Sequence, residues 1–219
     1  MTEAIDVLDH GLVRLVDHMG SDLAISRNAR VSYDAEARPE DKGLIEYLMK
    51  NHHTTPFEAV EFSFEIKAPI FVFRQWHRHR TWSYNELSAR YRELPEEIYV
   101  PEVNQITHQS EDNKQMRTDE QHPKAEEIQR MIRIRNEDAF KVYRELLDLG
   151  TPRELARSVL PVGTYSHMFA KTDLHNLFHF LRLRLHEHAQ YEIRVYAEAM
   201  LDLIEPIVPI AVTAFKKTL

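Results

Sequence analysis

Between residues 62 and 67 the chain alternates strictly, with Phe62, Phe64 and Ile66 set between Ser63, Glu65 and Lys67. Side chains of a strand point to opposite faces in turn, so this stretch has one apolar and one polar side. Such a strand is half buried: one face meets water and the other needs a covering layer.

Helical patterns supply candidates for that layer. Leu44, Ile45, Leu48 and Met49 form a stripe in a helix expected over Pro39–Lys50. Ile5–Met19 reads as a strand-like opening, and Asp22 as the cap of a short helix over Leu23–Arg30. Pro69 suits the first turn of a short helix over Ile70–His77. From Pro123 to Leu149 the positions Ile128, Met131, Ile132, Phe140, Val142, Leu146 and Leu147 predict a long helix, ended by Gly150. Thr151, Pro152 and Glu154 read as a capping box that restarts a helix, and Pro161 stops it. Val162–Lys171 is expected as a strand, with Thr172 or Asp173 capping the next helix. Leu174–Ile204 reads as helical with a break near His186, ended by Pro206 and Pro209. Pro95–Gln121 is polar and without period, the pattern of a surface loop. There is no internal repeat. The expectation is an α/β domain of the α+β type spanning residues 1–219, with a mixed or antiparallel sheet packed against helices.

Composition narrows the partners. A hydrophobic share of 43% and a charged share of 29% are ordinary for a globular protein, and five glycines leave little room for a Gly-rich phosphate loop. The formal charge of -7 argues against a nucleic-acid polymer as partner, while a local arginine cluster can still hold a small anion. With no cysteine there are no disulfides, no thiolate zinc sites and no thiol nucleophile. Met1–His10 lacks the signal-peptide pattern, and no apolar run approaches the roughly 20 residues of a membrane span, so a cytoplasmic enzyme with no membrane partner is expected.

Chemistry concentrates in Arg74–Arg92, RQWHRHRTWSYNELSARYR, where five arginines are interleaved with Trp76, Trp82, Tyr84 and Tyr91. Guanidinium forks grip phosphate oxygens and aromatic faces stack on flat rings, so the composition suits a planar phosphorylated ligand, a nucleotide. The bland alternative is a solvated basic face. The interleaved hydroxyl, amide and aromatic groups favour a site. Trp76 and Trp82 are core anchors or stacking platforms, and the sequence leaves both open.

Arg78-His79-Arg80, seven residues, then Ser88 resembles the signature of the flavin-dependent thymidylate synthases, within the similar stretch Ser83–Tyr91. His53, Thr55, Pro56, Phe57 and Glu58 resemble that family's histidine-then-threonine-proline-phenylalanine segment. Pro69–Trp76, Pro152-Arg153-Glu154 with Ala156-Arg157, and Leu181–Gln190 are similar to further family segments. The likeness covers most of the chain outside the 95–121 stretch and the C-terminal tail.

The resemblance implies residue roles. His53, Thr55, Arg78, His79, Arg80 and Glu86 would contact FAD, joined by Asp173, Leu174, His175 and His179 at a helix start, where free N–H groups favour phosphate. The family has asparagine or histidine at the position of His179, and Asp173 departs from the asparagine often seen there. Gln75, Trp76, His77, Arg78, Glu86 and Leu87 would meet dUMP, as would Ser88, Ala89, Arg90 and Arg157. Arg184 would lie against the uracil ring as the catalytic residue, stabilising charge that develops there. No covalent protein nucleophile is implied, so Ser88 is a ligand to phosphate. The implied reaction methylates dUMP to dTMP with 5,10-methylenetetrahydrofolate as carbon donor and hydride from NADPH through FAD, giving tetrahydrofolate. A homotetramer with shared active sites is implied as well.

Two rivals follow from the residues. One is a nucleotide-binding module without catalysis. The other is a metal-dependent nucleotide phosphohydrolase using some of the thirteen histidines. His175 and His179 are four apart on an expected helix, but a third ligand has no clear position, so no metal is assigned. Tyr191, Tyr196 and Met200 read as core.

Overall fold

The computed structural model describes residues 3–31 and 41–219. The alternating stretch lies in β3, Glu61–Pro69, the central strand of a five-stranded antiparallel sheet. Phe62, Phe64, Ile66 and Ala68 are all buried on its inner face. To one side stand β2, Gly11–Met19, and β1, Ile5–Val7; to the other stand β7, Tyr165–Asp173, and β4, Ser83–Glu86. The order is β1-β2-β3-β7-β4, so the sheet is antiparallel throughout.

The strand-like opening expected over Ile5–Met19 is thus a hairpin of two strands, turning at residues 8–10 with Leu8 at φ 59°. β2 leaves its register with β3 between Leu15 and Asp17, where Val16 stays exposed.

Helices cover the apolar face. α1 runs over Asp22–Arg30, α2 over Lys42–Lys50 and α3 over Ile70–Trp76. Of the helix expected over Pro39–Lys50, Pro39 and Glu40 lie outside the described residues. Further on are α4, Ala125–Asp148, and the short α5, Arg153–Ala156. The last three are α6, Leu174–Arg184, α7, Tyr191–Ile204, and α8, Pro209–Lys216. The break near His186 falls between α6 and α7. One hydrophobic cluster joins the sheet to α1, α2, α3, α6, α7 and α8. A smaller cluster, Phe140, Tyr143 and Ala156, ties α4 to α5.

Several caps differ from expectation. Asp22 does not cap α1; its carboxylate accepts from the N–H of Ile210 and Ala211 at 2.8 and 3.0 Å, and so caps α8 from across the fold. Pro209 therefore opens a helix instead of ending one, taking the first turn where its missing N–H costs nothing. Thr151 makes no capping box: Pro152 is the N-cap of α5, and the N–H of Thr151 is bonded to Leu146. That bond and the one from Gly150 to Leu147 close a Schellman motif, with Gly150 at φ +78°. The polar 95–121 stretch is more ordered than a loop: β5, Thr107–Gln109, pairs with β6, Arg117–Gln121. α4 forms as expected, yet Met131, Ile134 and Val142 are exposed along it.

Candidate active site

α3 is an amphipathic stub whose sequence aims charge outward. Val72, Phe73 and Trp76 are buried, which leaves Arg74, Gln75 and then Arg78 on the opposite side. Its first N–H groups, of Ile70 and Phe71, are bonded to the carbonyls of Thr164 and Val162. On α6, Leu174, Leu177, Phe178 and Leu181 face the core, so His175, His179 and Leu183 share the other side at fourfold spacing. The two helices enclose an open cleft of about 940 Å³ between these outer faces.

Four guanidinium groups line the cleft, from Arg74, Arg78, Arg80 and Arg184, with His79, His175 and His179 and, among the described residues, no carboxylate. That donor set suits a diphosphate, and the volume lies within the usual range of about 300–1,000 Å³ for ligand sites. The residues therefore fit the FAD expected from the resemblance.

Arg184 is half buried in the cleft wall. Its Nε donates to Nε2 of His79 and its Nη2 to the backbone carbonyl of Gln75, both at 3.2 Å. Burial lowers the pKa of Arg184, and the nearby charge of Arg78 lowers it further. His79 is only 6% exposed, its ring edge-on to Phe180 at 4.9 Å. Burial, then Arg184 and His179, bring its pKa down to about 4. At neutral pH the ring is uncharged, and accepting at Nε2 puts its proton on Nδ1. His79, expected as a flavin contact, also supports Arg184.

A side pocket of about 200 Å³ shares His175 and His179 with the cleft and adds His52, His53, Thr54 and Arg182. His52 sits at φ 56°, a left-handed position uncommon for a residue with a side chain. Glu86, Leu87, Ser88, Ala89, His77 and Arg157 instead line a third pocket of about 350 Å³. It shares only Arg74 with the main cleft. Arg90 faces neither; it lies 3.6 Å from Glu154. Within one chain the expected set is thus split between two sides of α3.

Other expected contacts are corrected by burial and bonding. The indole of Trp76 is fully buried, stacked on Phe180 at 4.8 Å, so it is a core anchor and not a nucleotide contact. Trp82 is buried beside it. Leu174 is fully buried and its N–H is bonded to Val60 at 2.8 Å, leaving nothing to offer a flavin. The α6 N-terminus is not free for phosphate, because Asp173 accepts from the N–H of Asn176 at 2.9 Å and from its side chain at 2.6 Å. Thr55 opens the tight 3-10 turn Thr55–Ala59 and is exposed, while its neighbour Thr54 lines the side pocket.

Sequence reasoning missed Arg74, Thr81, Asn176 and Leu183 in the cleft, and His52, Thr54 and Arg182 beside it. Two carried a signal: Arg74 precedes Arg78 by one helical turn, and Leu183 continues the spacing of His175 and His179. Among the described residues no three His, Asp or Glu side chains converge on a metal position, and no helix is long and apolar enough to cross a membrane.

Residues 14–210 match the family model described as thymidylate synthase complementing protein. The chain is 48% identical to a flavin-dependent thymidylate synthase of Treponema denticola, over 99% of this chain and 83% of that one. It is 50% identical to a flavin-dependent thymidylate synthase of Thermus thermophilus, over 98% of this chain and 79% of that one. Its fold is similar to the crystal structure of a UMP/dUMP methylase, PolB from Streptomyces cacaoi, bound with 5-Br dUMP. The TM-score is 0.88 at 38% identity, covering 97% of each chain.

Proposed function

The chain belongs to the flavin-dependent thymidylate synthase family, and on that premise we propose how its own side chains carry the reaction. The enzyme methylates dUMP to dTMP, taking carbon from 5,10-methylenetetrahydrofolate and releasing tetrahydrofolate. FAD, when bound in the cleft, would supply the redox chemistry that links NADPH to the nucleotide.

One observation carries the assignment of roles: four arginines, the half-buried Arg184 among them, line the cleft, with no carboxylate among the described residues. Arg78 and Arg80 hold phosphate oxygens. Arg184, kept in place by His79 and by the carbonyl of Gln75, lies against the uracil ring. There its cation stabilises negative charge that grows on the ring as bonding to C5 changes, and low local dielectric strengthens the effect. His53, Thr55, Glu86, His175 and His179 complete the flavin set. Gln75, His77, Leu87, Ser88, Ala89, Arg90 and Arg157 complete the nucleotide set.

The split of that set between two pockets supports a shared site. In a homotetramer, the Ser88 pocket of one copy meets the main cleft of another, and the exposed Met131, Ile134 and Val142 of α4 supply apolar contact surface. Folate enters at the same composite site, and the enzyme works in the cytoplasm.

The test is anaerobic. NADPH reduces the flavoprotein, and dUMP and methylenetetrahydrofolate are then added together. Flavin reoxidation coupled one-to-one with thymidylate is the expected result. Reoxidation without thymidylate rejects the assignment.

A further inference from the structure

A buried carboxylate outside the cleft sets the hydrogen-bonding sense of a side chain within it. Glu192, on the first turn of α7, is only 3% exposed. Its Oε1 accepts from the hydroxyl of Tyr99 and from Nη1 of Arg117, both at 3.1 Å. Its Oε2 accepts from Nε2 of Gln190 at 2.8 Å. Gln190 in turn accepts, at its Oε1, from Nε2 of Gln75 at 2.6 Å. Gln75 lines the main cleft, and among the described residues no protein donor takes its Oε1.

The order of this relay is dictated by chemistry. A carboxylate paired with an arginine accepts only, so the neighbouring amide of Gln190 must turn its NH2 toward Glu192. That leaves Gln190 its carbonyl oxygen for Gln75, which must donate. An amide that donates from nitrogen to the relay has its carbonyl left for a ligand. Rotating it by half a turn would set two carbonyl oxygens against each other at 2.6 Å. The amide orientation, which a lone glutamine chooses freely, is thereby fixed from two residues away.

We propose that Glu192, acting through Gln190, is a positioning residue that fixes Gln75 as a hydrogen-bond acceptor toward the nucleotide, so that the site selects a ligand donor there. The inference rests on the reading of Gln75 as a nucleotide ligand. Deoxyuridine monophosphate has two donors on its base and sugar that meet this description, the N3–H and the 3′-hydroxyl. The base carbonyls, as acceptors, are excluded from that position. Gln75 also holds Arg184, through its backbone carbonyl.

The test measures binding of dUMP, N3-methyl-dUMP and 2′,3′-dideoxyuridine monophosphate to the flavin-loaded enzyme. One of the two analogues, lacking the donor that faces Gln75, should bind wild type about tenfold more weakly than dUMP, since an acceptor left unpaired beneath the bound nucleotide costs about that much. In Gln190→Leu the amide of Gln75 turns freely and that discrimination should shrink to about threefold or less, with flavin content unchanged. Glu192→Gln, close in shape, should do the same by letting the relay reverse, and it serves if the leucine variant loses flavin. Full discrimination persisting in both variants while Gln75→Ala abolishes it would overturn the relay and keep Gln75 as a ligand. The absence of discrimination by wild type also overturns it. If Gln75→Ala leaves affinity and discrimination untouched, the ligand reading itself fails and takes the relay with it.

Discussion

Arg184 donates from Nε to Nε2 of His79 at 3.2 Å, a cation held by a neutral ring. The pKa of His79 stands at about 4 against 6.5 for a free histidine, because burial and the neighbouring Arg184 disfavour a second positive charge. The unfolded chain therefore binds a proton at this residue between pH 6.5 and 4 that the folded chain refuses. This contribution to stability is complete above pH 6.5 and is lost as pH falls toward 4, by up to about 3 kcal/mol. Denaturant unfolding of wild type and His79→Phe over that range should show a shallower acid slope for the variant. Equal slopes would mean the ring is not held neutral.

Removing the arginine itself should act on rate. Arg184→Ala is expected to lower kcat by about 100- to 1,000-fold, the usual cost of losing one preorganised charge-stabilising donor. Flavin content should change little, because Arg74, Arg78 and Arg80 remain in the cleft. Release of tritium from 5-tritiated dUMP follows the step directly. A variant that releases tritium at the wild-type rate would remove Arg184 from the chemistry.

Period and punctuation were legible where one local force dominates. Alternation at Phe62–Lys67 marked the central strand, and Gly150 marked the end of α4 because only a left-handed residue closes that motif. N-terminal capping was legible only in part: Asp173 caps α6 as expected, but a carboxylate before a helix need not serve that helix. Asp22 reaches the α8 N–H groups 188 and 189 positions away. β5 and β6 escaped notice because their polar residues pair at the edge of the fold and bury little, so no apolar period arises.

At the site, the basic segment was legible as a set of residue types but not as a shape. One turn of α3 and the core position of Trp76 separate Arg78 from Ser88 into different pockets. The roles of His79 and Glu192 depend on partners 105 and 75 residues distant, which no local pattern encodes.

The long-range cap gives a local prediction. Asp22→Ala should cost about 1–2 kcal/mol, the upper part of the range for losing a helix cap. Burial raises the pKa of this carboxyl, with the two backbone N–H groups opposing, so part of the gain is already offset by desolvation. The sharper readout is hydrogen exchange, which should accelerate at the amides of Ile210 and Ala211 ahead of the rest of α8. Unchanged protection at those two amides would show that Asp22 is not their cap.

Gly11 is the tightest packing constraint in the hairpin. A methyl group there would lie 2.0 Å from the hydroxyl of Tyr196 and 2.5 Å from the carbonyl of Val7. Tyr196 cannot retreat freely, because its ring is fully buried on α7 and its hydroxyl donates to the carbonyl of Lys67 at 2.8 Å. Gly11→Ala should therefore destabilise by about 3 kcal/mol, at the upper end for overpacking, and lower Tm by roughly 6–12 °C in a chain of this size. Adding Tyr196→Phe removes the closest clash but leaves the two backbone ones, with the carbonyls of Val7 and Lys67, so the double variant should recover only part of the loss. Thermal melts of the two variants beside wild type decide it. Full recovery would place all the strain on the hydroxyl, and no effect of Gly11→Ala would mean that β1 and β2 separate at little cost.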